Sequence, residues 1–234
     1  MTLETIEYRD GDVALSGRLV RPAGQPRGAI LILPSIGNGN PAMEQRAQML
    51  ADAGFVAMVA DFYGKPVPDD FDELLKMAGE VRATAEGYRR RLRAGLDTLA
   101  AAAPGLPMGA MGYCMGGQGA LELARDGAPL VMVCSFHGIL QTDAPASADR
   151  PITARVLVCH GDADPLVPHE QVLAFWAEMN AAGAQWHFHS YGGVKHGFTD
   201  PDSDARAMDF LGYDASADRQ SWAALTSMLD EVFA

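Results

Sequence analysis

The sequence predicts an α/β fold, a mostly parallel sheet with helices on both faces. Three observations predict it. Short unbroken apolar runs such as Ala29–Leu33 (AILIL) and Phe55–Ala60 (FVAMVA) are typical of strands buried on both faces. These runs alternate with longer amphipathic stretches, and repeated strand–helix alternation implies parallel pairing through crossover helices. Length and composition agree: 234 residues, 48% hydrophobic and 21% charged, suit a single globular domain over residues 1–234.

The elements follow in order. Strand-like segments near Ile6 and over Leu15–Val20 read as an antiparallel hairpin. Ala29–Leu33 comes next, then a loop rich in Gly, Asn and Pro over Pro34–Pro41. Ala42–Ala53 reads as a helix, because Gly54 is a good residue to end one. Phe55–Ala60 is a strand, Asp61–Asp70 a loop, and Phe71–Ala102 a long helical stretch broken once. Pro107–Met111, Leu130–Phe136, Ala154–His160 and Gln185–Tyr191 read as strands. Met115–Arg125, Pro168–Ala182 and a terminal Arg219–Phe233 read as helices. No repeat, linker or break in composition divides the chain.

Charge narrows the function classes. There are 30 acidic and 18 basic residues, a net charge of −12, and the pI is near 4.8. Such a surface repels phosphate backbones and anionic lipid, so neither nucleic acid nor membrane is an expected partner. No apolar run reaches the ~20 residues of a membrane span. The segment Met1–Gly11 lacks a basic-then-apolar leader pattern, so a cytoplasmic location is expected. Three cysteines, an odd and sparse count, argue against a disulfide framework. Cys134 and Cys159 lie within apolar runs and read as small buried hydrophobes.

Cys114 differs. Gly112-Tyr113-Cys114-Met115-Gly116-Gly117 follows a strand and opens a helix, the context of a nucleophile elbow. Glycines two before and two after let strand and helix backbones approach. The helix N-terminus favours an anion and lowers a thiol pKa. Alone, the motif fits a buried cysteine in a packing turn equally well. Its partners favour catalysis. His160-Gly161-Asp162-Ala163-Asp164 puts two carboxylates after a strand, and Gly193-Val194-Lys195-His196-Gly197 puts a histidine in a Gly-rich loop after another. The order nucleophile, acid, base is that of an elbow hydrolase. Asp164 is chosen over Asp162 because Gly161-x-x-Asp164 is similar to the acid loop of α/β hydrolases. His187 and His189 share one side of a strand, His169 starts a helix, and His160 and His137 end strands. His137 is also a candidate to line the pocket. A metal site on His160, Asp162 and Asp164 lacks further ligands at a metal-like spacing.

Together GYCMGG, HGDADPLVP and GGVKHGFTDP resemble the dienelactone hydrolase family of α/β hydrolases, from Ala29 to the terminal helix around Ser221-Trp222. The resemblance implies an α/β-hydrolase fold with about eight strands and no large cap domain. It implies a cofactor-free, metal-free Cys114–His196–Asp164 triad that opens a small-molecule ester or lactone through a thioester. The oxyanion donors would be the N–H of Met115 and the N–H of Ile36. Two family charges are replaced. The glutamate before the oxyanion residue is Ser35 here, and the arginine four residues after the catalytic histidine is Asp200. Neutral substrates are therefore expected to be preferred over carboxylate-bearing ones. Arg82, Arg89, Arg90, Arg91 and Arg93 are other candidate anion grips, but on a long helix they read as solvated. The acidic run from Asp200 to Asp218 reads equally as a pocket rim, with Phe210 and Tyr213 as its apolar wall, and as a solvated loop, and Tyr113 would line the site beside the nucleophile. A monomer or homodimer is expected. The alternatives are a general esterase or thioesterase, a catalytically silent relic, and a thiol sensor.

Overall fold

The computed structural model describes residues 3–234. Met1 and Thr2, the start of the segment read for a leader pattern, lie outside the described residues. The strands are β1 (Glu4–Asp10), β2 (Val13–Val20), β3 (Gly28–Leu33), β4 (Phe55–Val59), β5 (Met108–Tyr113), β6 (Met132–Phe136), β7 (Arg155–Gly161) and β8 (Gln185–Tyr191). They form one eight-stranded sheet in the order β1-β2-β4-β3-β5-β6-β7-β8. β1 and β2 make the expected hairpin, with Tyr8 opposite Leu15, and β2 joins β4 antiparallel. Every other pairing is parallel.

The helices are α1 (Pro41–Asp52), α2 (Phe71–Val81), α3 (Ala85–Ala102), α4 (Met115–Arg125), α5 (His169–Ala181) and α6 (Ala215–Val232). Strand alternation sorts the core onto two faces. Leu31 and Leu33 of β3 pack with Leu92 and Leu96 of α3 and Leu121 of α4. Ile30 and Ile32 pack with Leu50 of α1 and Leu225 of α6. β3 is buried throughout, which explains its unbroken apolar run.

Two sequence expectations are refined. The helical stretch from Phe71 breaks between α2 and α3, where extended Thr84 caps α3 by accepting the Gly87 N–H at 3.0 Å. The last helix starts at Ala215 rather than Arg219, because Asp214 accepts the N–H groups of Ser216 and Ala217 at 3.0 and 2.7 Å.

The α3 arginines are corrected. Arg90 is solvated as expected, its side chain 67% exposed, but those of Arg89 and Arg91 are only 8% and 11% exposed, and each of the four has an acidic partner from elsewhere in the chain. Arg90 and Arg91 each hold Asp10 at 2.8 Å, and Arg93 holds Asp126. Arg89 is buried and starts a chain of charges, Arg89–Glu122 at 2.8 Å, Glu122–Arg125 at 2.9 Å and Arg125–Glu178 at 2.7 Å. Its ends and middle are fastened to the segment after β6, through the carbonyls of Ala144 and Leu140 and the N–H of Ala146. The network locks α3, α4 and α5 against that segment. Among the described residues, no helix is long and apolar enough to cross a membrane.

Candidate active site

The site lies at the carboxyl ends of the parallel strands, where open α/β sheets place their ligands. β5 ends at Tyr113 and α4 begins at Met115, so Cys114 turns the chain alone, at φ 53° and ψ −116°. That left-handed φ strains a non-glycine residue and fits a nucleophile elbow. The flanking glycines are a steric necessity. A Cβ on Gly112 would lie 2.0 Å from the Gly116 carbonyl oxygen, and one on Gly116 would lie 2.0 Å from that of Leu33.

Asp164 follows β7. Its Oδ1 accepts the Leu166 N–H at 2.9 Å, and its Oδ2 pairs with Nδ1 of His196 at 2.7 Å. Both side chains are buried. His196 lies in the loop after β8, clamped by Phe210 and Gly212 through backbone hydrogen bonds of 3.1 Å each. Its Nε2 is buried without a hydrogen-bond partner. Its coupling to Cys114 is electrostatic, short of good hydrogen-bond geometry. Apo sites of this kind often tighten only when substrate binds.

The electrostatics favour a charged couple. Burial pushes the Cys114 thiol up, but His196 and the nearby N–H groups of Met115 and Ile36 outweigh it and hold the thiol below its ordinary range. Burial pushes His196 down, yet the Cys114 charge and the Asp164 hydrogen bond raise it above the ordinary imidazole range. The two N–H groups at the sulfur come from the residues expected as oxyanion donors. By contrast Cys134 and Cys159 are fully buried, and burial pushes Cys134 up.

The remaining expected site residues divide. Ser35 opens a tight turn, its carbonyl accepting the Asn38 N–H at 2.9 Å, and it brings no charge. Phe210 sits beside the site, its ring 6.2 Å from that of His196. Tyr213 is only half-buried, and its N–H is held by Asp204 at 3.0 Å. Tyr113 does not line a pocket: it is 2% exposed and stacks on Phe136 at 4.8 Å. Strand alternation turns it into the core with Ile30, Ile32 and Leu225. His137 is likewise buried rather than open. Its Nδ1 accepts the Cys114 N–H at 3.2 Å, and its Nε2 meets Thr199 Oγ1 at 2.9 Å. Its ring stands edge-on to His196 at 5.1 Å, and burial keeps it neutral.

Asp200 is also corrected. It does not face the site as a bare carboxylate, because Arg206 pairs with it at 2.6 Å and it caps the short helical turn Pro201–Arg206. Arg82 is the α3-side arginine that no carboxylate neutralises among the described residues. It reaches the Gln118 amide oxygen at 3.3 Å and lies close enough to Tyr63 and Tyr88 to act on both hydroxyls. His160, Asp162 and Asp164 do not converge on a common point. Asp162 turns to His169 at 3.3 Å and Ser190 at 3.4 Å, while Asp164 turns to His196.

Sequence reasoning missed the residues that hold the turn after β3. Asp61 accepts from Asn38, Tyr63, Gly64 and Ser16 within 3.0 Å. Only the cluster Asp61-Phe62-Tyr63-Gly64 after a buried strand hinted at it, and nothing local named its partners.

Known proteins resemble this arrangement. The dienelactone hydrolase family model matches residues 15–233. The chain is 34% identical to a structure described as a dienelactone hydrolase-like promiscuous phosphotriesterase from metagenomic libraries, with TM-score 0.92 over 100% of this chain and 99% of that one. It is 28% identical over 225 residues to a probable 2-oxo-3-(5-oxofuran-2-ylidene)propanoate lactonase of Bradyrhizobium sp., covering 88% of this chain and 89% of the relative. A Caenorhabditis elegans protein described as uncharacterized is 40% identical over 130 residues, 54% of this chain and 81% of that one.

Proposed function

Because the chain belongs to the dienelactone hydrolase family, we propose that it opens a lactone or carboxylic ester with Cys114 as nucleophile, His196 as base and Asp164 as the acid that orients it. The observation that carries this reading is the 2.7 Å Asp164–His196 bond, buried beside a cysteine on a strained elbow. The Cys114 thiolate adds to the substrate carbonyl. The oxyanion forms between the N–H groups of Ile36 and Met115, where a well-placed donor is worth ~3–4 kcal/mol. His196 gives its proton to the departing oxygen, leaving a thioester on Cys114. Water enters, gives a proton to His196 and attacks the thioester, and the acid product leaves with the thiolate restored. Esters and lactones suit this chemistry better than amides, because their oxygens leave more readily.

The expected bias toward neutral substrates loses its support with the Asp200–Arg206 pair. Arg82 favours a substrate with an anionic substituent, since its charge lies near the nucleophile's helix and has no carboxylate partner among the described residues. The Bradyrhizobium relative's name also favours a lactone.

The test is hydrolysis of a chromogenic short-chain ester by wild type and by Cys114→Ala, with thiol alkylation followed site by site. Wild type is expected to turn over, Cys114→Ala to be inactive, and Cys114 to be labelled faster than Cys134 or Cys159. Full activity after complete modification of Cys114 overturns the reading.

A further inference from the structure

Two buried tyrosine hydroxyls end on the two residues whose N–H groups help hold the Cys114 thiol down. Tyr63 donates to the carbonyl of Ile36 at 2.9 Å. Tyr88 donates to the carbonyl of Met115 at 2.7 Å. Tyr63 also approaches the Met115 sulfur at 3.7 Å, so it touches both residues. The tyrosines come from different elements, Tyr63 from the loop after β4 and Tyr88 from α3. Phe62 sits between them, its ring 6.1 Å from that of Tyr63 and 6.2 Å from that of Tyr88.

We infer that Tyr63 and Tyr88 are positioning residues for the oxyanion site, each fixing one of its two backbone donors by holding that residue's carbonyl. The inference rests on the proposed roles of Cys114, Ile36 and Met115. The peptide that carries each donor is held by its own carbonyl, Ser35 accepting from Asn38 at 2.9 Å and Cys114 from Gln118 at 3.1 Å, and each tyrosine holds the peptide on the other side of the donor residue, so that the residue is fixed from both sides. Ile36 is the second residue of the tight turn closed by the Asn38–Ser35 bond, and Tyr63 binds the peptide after Ile36, which that bond does not reach. Met115 is the first residue of α4, where the N–H has no partner within the helix. Without Tyr63, the carbonyl of Ile36 would be left in a half-buried site with no donor. Burial pushes both tyrosines up, so each stays protonated and able to donate throughout the working range. Arg82, acting in the opposite sense on both, sits beside the pair. Preorganised donors act because they need not move as charge develops, so a small displacement lowers turnover rather than substrate affinity.

Tyr63→Phe and Tyr88→Phe keep each ring and remove only the hydroxyl. The assay is hydrolysis of a p-nitrophenyl ester for kcat and KM on wild type, both variants and Cys114→Ala, with iodoacetamide alkylation of Cys114 followed against pH on wild type and the two tyrosine variants. Each tyrosine variant is expected to lose about tenfold in kcat, a fraction of what losing an oxyanion donor costs, with KM little changed. Because the same N–H groups lower the Cys114 thiol, the alkylation midpoint is expected to move to higher pH. Rings kept for packing alone would move neither. Activity in Cys114→Ala would overturn the nucleophile assignment itself. With Cys114→Ala inactive, wild-type kcat and an unmoved alkylation midpoint in both variants overturn this inference only. Melting temperatures show whether each variant is folded, and if Tyr88→Phe is not, Tyr63→Phe decides alone.

Discussion

Replacing Asp164 by asparagine tests the site at a single atom. Oδ1 of Asp164 accepts the Leu166 N–H at 2.9 Å, whereas Oδ2 faces Nδ1 of His196 at 2.7 Å. An asparagine keeps the Leu166 bond only with its carbonyl oxygen in the Oδ1 place. Its NH2 then faces Nδ1, which must give up its own proton and accept. The imidazole proton moves to Nε2, toward the sulfur, and His196 can no longer take a proton from Cys114. The aspartate side chain is 0% exposed and that of His196 3%, so no water relieves the mismatch. A wrong tautomer in a comparable triad costs ~10⁴ in turnover, or about 5 kcal/mol of barrier. The charge that raises His196 disappears as well, so less imidazolium faces the sulfur and the thiolate forms only at higher pH. The assay is kcat on a chromogenic ester beside thiolate absorbance against pH, with Asp162→Asn as comparison. Asp162 is an exposed residue bonded to His169 and Ser190, so its variant is expected to turn over almost normally. Equal losses in the two variants, or a thiolate midpoint unmoved by Asp164→Asn, would refute the reasoning.

Three further outcomes are expected. Gly116→Ala drives a Cβ to 2.0 Å from the Leu33 carbonyl oxygen, so it should destabilise by about 3 kcal/mol or more in denaturant unfolding and lower activity with it. His160 is buried with neither ring nitrogen bonded, and burial, against the pull of Asp164 and Asp162, holds its pKa below the ordinary 6.5. The unfolded chain therefore takes that proton first, stability falls as pH drops from about 6.5, and His160→Phe should flatten the acid side of a melting-temperature profile. Arg82→Gln should lower kcat/KM about tenfold for a carboxylate-bearing lactone and much less for a neutral ester, with the difference shrinking at high salt.

Much of this was legible in the sequence because it depends on local pattern. The buried runs located the strands, and the glycines around Cys114 marked a turn that only small residues can make. What stayed hidden depends on pairing across the fold. Arg89 looks solvated along its own helix, since Glu122 is 33 residues away in the chain. Asp200 looks like a charge at the site mouth until Arg206 is seen folding back onto it. Tyr113 next to the nucleophile suggests a lining residue, but the pleat of β5 sends it into the core, against Phe136. Tyr63 and Tyr88 carry no motif, because their targets are backbone carbonyls that any residue would supply.

The chain Arg89–Glu122–Arg125–Glu178 limits how this protein can drift in sequence. Arg125 is 0% exposed at its side chain and touches both carboxylates. Losing it alone would leave Glu178 without a cation and Glu122 with Arg89 alone, at about 3–5 kcal/mol, a large share of a domain's stability. Exchanging all the members for apolar residues together would be close to neutral. One-step paths out of the network are therefore closed, while the simultaneous path is open but rarely taken. Relatives should carry these residues as a block or lack them as a block. The 140–146 segment, whose backbone groups bind Arg89, Arg125 and Glu178, should change with them.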